Sequence, residues 1–184
     1  MRTLWMSTCL LLGALLMPAQ AAEKPSPVPL VPAVDLPRYM GDWYVIGVIP
    51  TFVEKGAHNA IESYALNSDG TIATTFRRRQ DAFTGPLKVN KPTGFVREGS
   101  NNALWGMQFI WPFKGEFRIA HLEPDYSVTI IGRSKLDYVW LMARQPVMDD
   151  AAYEKYKALI ASWGYDVTKL ERVPQQWPEA SARP

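Results

Sequence analysis

The sequence predicts an all-β protein, an eight-stranded antiparallel up-and-down β-barrel with one α-helix flanking it after the last strand. Three observations carry that prediction. Eight short runs rich in β-branched and aromatic residues follow one another within about a hundred residues, separated by short turn signals, which is the pattern of an antiparallel meander. Several positions on the alternating faces hold large aromatics and methionines rather than compact aliphatics, which suits the wall of a small closed barrel better than the core of a sandwich. One stretch near the C-terminus changes from period two to helical spacing.

Two segments precede the strands. Residues 1–21 read as a secretory signal peptide: Arg2 is the only charge, Leu10 to Met17 is apolar, and Ala19-Gln20-Ala21 is a small-x-small cleavage site. An exported protein that ends in the periplasm or outside the cell is the expectation. Residues 22–35 are rich in proline and read as an extended tether. Cys9 is the only cysteine and lies before the apolar stretch, so lipid anchoring there is not expected. The mature chain would then hold no disulfide and no thiolate nucleophile. Without the leader there remain 19 basic and 18 acidic residues, a balance that points to no nucleic-acid partner.

The predicted runs begin at Trp43 to Ile49, Asn59 to Leu66 and Thr71 to Arg79, with "NSDG" at 67–70 as a hairpin turn between the last two. Further runs fall at 87–98, 103–111, 116–122, 126–132 and 138–144. Asp149 can cap a helix over 149–163, in which Tyr153, Tyr156, Leu159, Ile160 and Trp163 share one side before Gly164 ends it. The barrel domain is placed at 36–177, and 178–184 reads as a loose tail.

Alternation proposes an interior. Trp105, Met107 and Phe109 share one face, as do Tyr138 and Trp140, and Phe117 and Ile119 come from the next strand. Ile49, Phe52 and Val53 lie where the first strand opens into a long loop at the mouth, and Trp111 and Phe113 lie in a turn that would form the rim. Arg77-Arg78-Arg79 is the one basic run. Alternation cannot turn all three the same way, so Arg78 is taken as the one that faces inward to meet a carboxylate or phosphate.

Three short motifs add a resemblance. Gly41-Asp42-Trp43, Pro124-Asp125-Tyr126 and Arg144, in this order and spacing, resemble the three signature regions of the lipocalins. The stretch from about Leu36 to Val173 is similar to the bacterial outer-membrane lipocalins and to apolipoprotein D. The resemblance implies that Trp43 closes the narrow end of the barrel with Arg144 lying against it, so that Gly41, Trp43, Asp125, Tyr126 and Arg144 are structural. It implies a non-enzymatic carrier of a fatty acid, lysophospholipid or similar small hydrophobic ligand, without cofactor, able to associate peripherally with the outer membrane and to form a homodimer. Two departures are evident: the bacterial relatives are usually lipoproteins, and Pro124 stands where the family often has threonine.

The alternative reading is an enzyme on the same fold, of isomerase or epoxide type. His58 and His121 are far apart and show no metal-ligand spacing, and no nucleophile elbow or phosphate loop is present. Glu62, His121, Glu123 and Asp125 are the acid–base candidates, each read first as surface or turn chemistry. A buried histidine or carboxylate inside the cavity would favour the enzyme, and aromatic and aliphatic walls the carrier. A third reading is an interaction module using Tyr44, Ile46 and Val48, residues read first as packing beneath the helix face of Tyr153, Tyr156 and Leu159.

Overall fold

The computed structural model describes residues 26–51 and 54–178. The signal segment, Phe52 and Val53, and the tail from residue 179 therefore lie outside the described residues.

A four-residue helix, α1 (Leu36–Tyr39), leads into β1 (Gly41–Ile49), β2 (Ala57–Leu66) and β3 (Ile72–Gln80). The fourth barrel strand is split into β4 (Leu87–Asn90) and β5 (Thr93–Val96), where a single run was expected. Pro92 sits at the break: it has no N–H to give to the ladder, and only its carbonyl is engaged, accepting from the Thr74 N–H at 3.2 Å. Then come β6 (Leu104–Ile110), β7 (Phe113–Leu122), β8 (Val128–Gly132), β9 (Val139–Ala143), α2 (Asp150–Ser162), a 3-10 turn (Val167–Lys169) and the two-residue β10 (Glu171–Arg172).

Each strand pairs antiparallel with its neighbour, and β9 pairs back onto β1 through Tyr44↔Ala143 to Ile49↔Val139, which closes the sheet into a barrel of eight strand positions. Where β2 turns away from β1, β10 takes over that edge at Gly47↔Arg172 and Val48↔Glu171. Gln175 bridges the same seam, its Nε2 donating to the carbonyls of Val45 (2.8 Å) and Ala60 (3.2 Å).

Two apolar layers hold the molecule together. One fills the barrel, with Trp43, Tyr64, Phe76, Trp105, Phe117, Trp140 and Met142 among its members. The other lies between the barrel's outer face and α2: Ile46, Ile130, Val139 and Leu141 meet Tyr153, Tyr156, Ile160 and Tyr165. Helix α2 forms as the spacing predicts. Asp149 caps it by accepting from the Ala152 N–H at 2.8 Å, and Gly164, at φ +95°, reverses the chain after it.

The proline-rich segment departs from the expectation of a free tether. Over residues 26–35 it lies against the barrel: Val28 and Val34 are buried, Val31 donates to the Ile119 carbonyl at 3.0 Å, and Val34 donates to the Asn101 carbonyl at 2.9 Å. Proline keeps such a segment extended and leaves few N–H groups to satisfy, which suits a strap over a sheet end as well as it suits a linker.

Candidate functional site

The meander sends alternate turns to opposite ends, so one end gathers residues 35–41, 67–71, 97–103 and 123–127, and the other gathers the turns at 50–56, 81–86, 111–112 and 133–137. The first end is closed. Gly41, at φ +90°, occupies a backbone region open to glycine and leaves Arg144 room beside it. The Arg144 guanidinium stands 3.8 Å from the centroid of the Trp43 ring and donates to the carbonyls of Arg38, Tyr39, Met40 and Asp42 at 2.8–3.0 Å. Trp43 Nε1 donates to the Tyr39 carbonyl at 2.9 Å. Asp125 folds its own turn by accepting from the Ser127 N–H and hydroxyl. Tyr126, at φ +63°, accepts from the Asp35 N–H through its hydroxyl while Arg38 lies 4.1 Å over its ring. Trp43, Tyr126 and Arg144 thus tie the incoming chain to the strand ends, Gly41 leaves room for Arg144, and Asp125 shapes the turn that presents Tyr126.

Above this floor the barrel is filled by aromatic rings. Trp105 stacks on Phe117 (5.0 Å, 11°) and meets Tyr39 and Tyr64 edge-on. Ile119 is fully buried among them. Toward the open end the rings part to leave a narrow pocket lined by Glu62, Met107, Phe109, Glu116, Phe117, Arg133, Tyr138 and Trp140. Its cavity volume is about 10 Å³, room for roughly one water molecule.

The mouth is polar and cationic. Beside the pocket a shallow groove runs from Lys135 and Asp137 at the mouth past Lys114 and Gly115 to Arg97, at the start of the 97–103 turn, and it shares Glu116 and Arg133 with the pocket. Arg133 lies 4.6 Å over the Tyr138 ring and donates to the Glu116 carbonyl. Burial opposes ionisation of Glu116, but the Ser134 N–H and hydroxyl and the Arg118 guanidinium outweigh it and hold its carboxyl below the usual range. Around this rim Phe109 (48% exposed), Ile110, Trp111 (82%) and Phe113 (76%) stand in solvent, with Leu87 and Val89 on β4 also exposed.

Of the residues proposed as wall and mouth, the structure brings Met107, Phe109, Phe117, Tyr138 and Trp140 to one pocket and places Trp105 and Ile119 in the packed floor below it. Phe113 belongs to the exposed rim and does not line the pocket. Phe52 and Val53 lie outside the described residues. Ile49 requires a correction. A bulge between Val45 and Gly47 shifts the register of β1, so Val48 faces the interior while Ile49 packs outward with Ile46 beneath α2. Tyr44 and Ile46 do sit on the helix side, and Val48 does not.

Arg78 is buried at the barrel's upper interior, where it donates to Asn90 Oδ1 at 2.9 Å and lies 5.1 Å from the Phe76 ring centroid. Burial lowers its pKa, and the negative charge of Glu54 opposes that fall.

Among the acid–base candidates, His121 and Glu123 pair on the outside, with the Tyr156 hydroxyl donating to Glu123 at 2.7 Å. His58 turns to the Gly56 carbonyl. Glu62 is the exception to the surface reading: it is 1% exposed and lines the pocket. Burial first, and Glu54 second, push its carboxyl well above the usual carboxylate range. The signal was present in "NAIESYAL", where Glu62 alternates with Ala60 and Tyr64. It was hidden because Ile61 is buried on the opposite face, so neither parity reads as polar. Arg133 and Glu116 carried no such signal; their place follows from the turn geometry. No group of three or more histidines, cysteines or acids that could hold a metal exists among the described residues.

Known proteins agree with this architecture. A family model described as a lipocalin-like domain matches residues 34–175. Temperature-induced lipocalin-1 of Arabidopsis thaliana is 27% identical over 165 residues, 84% of this chain and 88% of that protein. The outer membrane lipoprotein Blc of Vibrio cholerae is 26% identical over 179 residues, 96% of this chain and 100% of that protein. Among solved structures, insecticyanin from the tobacco hornworm Manduca sexta superposes with a TM-score of 0.64 at 12% identity, covering 83% of this chain and 86% of its own, a likeness of fold. From the closed barrel, the tryptophan–arginine floor and the family match over 34–175, the chain belongs to the lipocalin-like domain family.

Proposed function

We propose that this protein is a carrier of one small hydrophobic or amphipathic ligand, a fatty acid, lysophospholipid or similar molecule, held in the barrel with its apolar part inward and its head at the mouth. The observation that carries the reading is the junction of two chemistries at Glu116 and Arg133: an apolar pocket walled by Met107, Phe117, Tyr138 and Trp140 shares these two residues with a groove that carries Lys114 and Lys135. An acyl chain gains roughly 0.8 kcal/mol per buried methylene, while an anionic head stays among cations and water. Family membership supports the same class of ligand.

The pocket is narrow, so a chain must displace side chains to enter. Met107 is unbranched and flexible, and Phe109 is half in solvent, so these are the parts that yield. The exposed rim of Ile110, Trp111 and Phe113 beside Lys114 suits docking of the open end on a lipid surface from which a ligand is taken.

The test is native followed by denaturing mass spectrometry of the protein purified from its own envelope. A lipid mass that accompanies the folded chain and leaves on denaturation is the expected result. An empty protein that also fails to bind fatty acids or lysophospholipids with quenching of its tryptophans would remove the carrier reading.

One observation favours the second reading, an enzyme on a small hydrophobic substrate. Glu62 is a carboxyl buried in the pocket, and a raised pKa is what a general acid needs. Against it, the histidines His58 and His121 lie elsewhere, engaged with Gly56 and Glu123. Turnover of a bound lipid that is lost in Glu62→Gln while binding persists would establish catalysis.

A further inference from the structure

We propose that the inner part of the barrel is a hydrogen-bonding subsite for an uncharged oxygen function, a hydroxyl or carbonyl, on the end of the ligand that enters first. The inference rests on the carrier reading and narrows its ligand class to molecules with a polar atom at the buried end.

Besides Arg78 Nε in the upper interior, three buried polar atoms inside the barrel have no hydrogen-bond partner among the described residues: Glu62 Oε2, Tyr64 OH and Trp140 Nε1. Their residues are 1%, 3% and 2% exposed. Buried polar groups in folded proteins are nearly always paired, so three orphans within one apolar interior are a pattern to be accounted for. They belong to one neighbourhood. Glu62 and Tyr64 occupy alternate positions on β2 and face the interior together. Glu62 lies opposite Phe76 in the register, and the Phe76 ring is 5.0 Å from that of Trp140. Glu62 and Trp140 line the pocket directly, and the Tyr64 ring is 6.0 Å from Phe117, which lines it too.

The chemistry of the three selects the partner. The indole N–H only donates, the phenol donates or accepts, and the protonated carboxyl does both. A hydroxyl or carbonyl oxygen can accept from two of them, and a hydroxyl can return its own proton to the third. A carboxylate or phosphate does not suit the same place, because the charge that bears most on Glu62 is the negative one of Glu54. Such a head has its cations at the mouth instead. From Ala57 at the mouth to Glu62, β2 spans four positions of β3 because of the bulge between His58 and Ile61, about 13 Å along the strand, a length that a medium-length chain can bridge from mouth to subsite.

The test compares dodecanoate with 12-hydroxydodecanoate by isothermal titration calorimetry and tryptophan fluorescence on the full mature chain. In an apolar cavity the terminal hydroxyl weakens binding, since it loses water without replacement. Here the hydroxy acid is expected to bind at least fivefold tighter than dodecanoate. In Tyr64→Phe, which removes one oxygen and keeps the ring, the preference is expected to vanish or reverse while dodecanoate affinity holds within about twofold, and in Trp140→Phe, which also reshapes the pocket wall, the ratio of the two affinities is expected to fall whatever becomes of dodecanoate binding itself. Tighter binding of plain dodecanoate to the unmodified protein would overturn the subsite and leave the carrier reading standing. A preference that survives in both variants would overturn it as well. Failure of both acids to bind would remove the carrier reading itself and the subsite with it.

Discussion

Arg144 shows how much one side chain can fix. Its planar fork meets four carbonyls and its face covers Trp43, a geometry that a lysine ammonium cannot reproduce. Arg144→Lys is expected to cost on the order of 2–4 kcal/mol in urea unfolding, combining charged hydrogen bonds with the ring contact. Ligand affinity should change little, because the residue lies at the closed end. Glu62 makes the opposite case, a group whose position weakens the fold. Its folded-state pKa is raised by burial and by Glu54, with Tyr64 and Tyr138 also within its electrostatic reach. The folded protein therefore holds the proton more tightly than the unfolded chain. Stability is full below the ordinary carboxylate pKa near 4.5 and declines as pH rises from there through the folded value. Glu62→Gln should flatten that decline in urea titrations from pH 4 to pH 8 and be the more stable protein at the upper end. A parallel decline in both proteins would show that Glu62 does not carry it.

At the scale of elements, the contacts between barrel and periphery are limited by space. Gly132, near the end of β8, lies so close to the strap and to the residues after α2 that an added Cβ would stand 2.9 Å from Val28 Cγ1 and 2.7 Å from the Tyr165 hydroxyl. That hydroxyl accepts from the Arg133 N–H and donates toward the Tyr138 carbonyl at 2.9 Å, so displacing it disturbs the turn that frames the mouth. Gly132→Ala is expected to lower stability by about 1–3 kcal/mol, measured by thermal or urea unfolding. The β6–β7 hairpin behaves differently. Ile110, Trp111 and Phe113 are exposed, so Trp111→Ser combined with Phe113→Ser should leave the melting temperature within a few degrees. The same pair should reduce co-sedimentation with anionic phospholipid vesicles several-fold. Unchanged sedimentation would mean that the rim is not a membrane contact.

For the whole molecule, the barrel is sealed by segments distant in sequence. Residues 26–35 cross one side, with Val28 and Val34 buried, and residues 171–177 fill the seam between β1 and β2. Asn59 pins the second of these through its Nδ2 to the Gln176 carbonyl and its Oδ1 from the Gln176 N–H. Each fully buried valine contributes roughly 1.5–3 kcal/mol. A chain shortened to begin at Asp35 should therefore melt at least several degrees lower than one beginning at Ala22. An unchanged melting temperature would show that the strap adds nothing to the fold.

The sequence by itself determined the eight strand positions and the helix with its Asp149 cap, which follow from local alternation and turn chemistry, properties of neighbouring residues. The tryptophan–arginine floor was legible only through the resemblance of three spaced motifs to a known family. Alternation also placed Met107, Phe117, Tyr138 and Trp140 on the inner wall. It failed at Ile49, because a bulge inserts one residue and reverses every later side chain without any mark in composition. It passed over Glu62, because a strand buried on both faces does not reveal which face holds the cavity. The strap's packing, the union of Glu116 with Arg133 at the mouth and the three unpartnered polar atoms were decided by the tertiary structure alone. Each depends on which strands meet across the closed barrel, and closure is a relation between residues as far apart in sequence as Trp43 and Arg144.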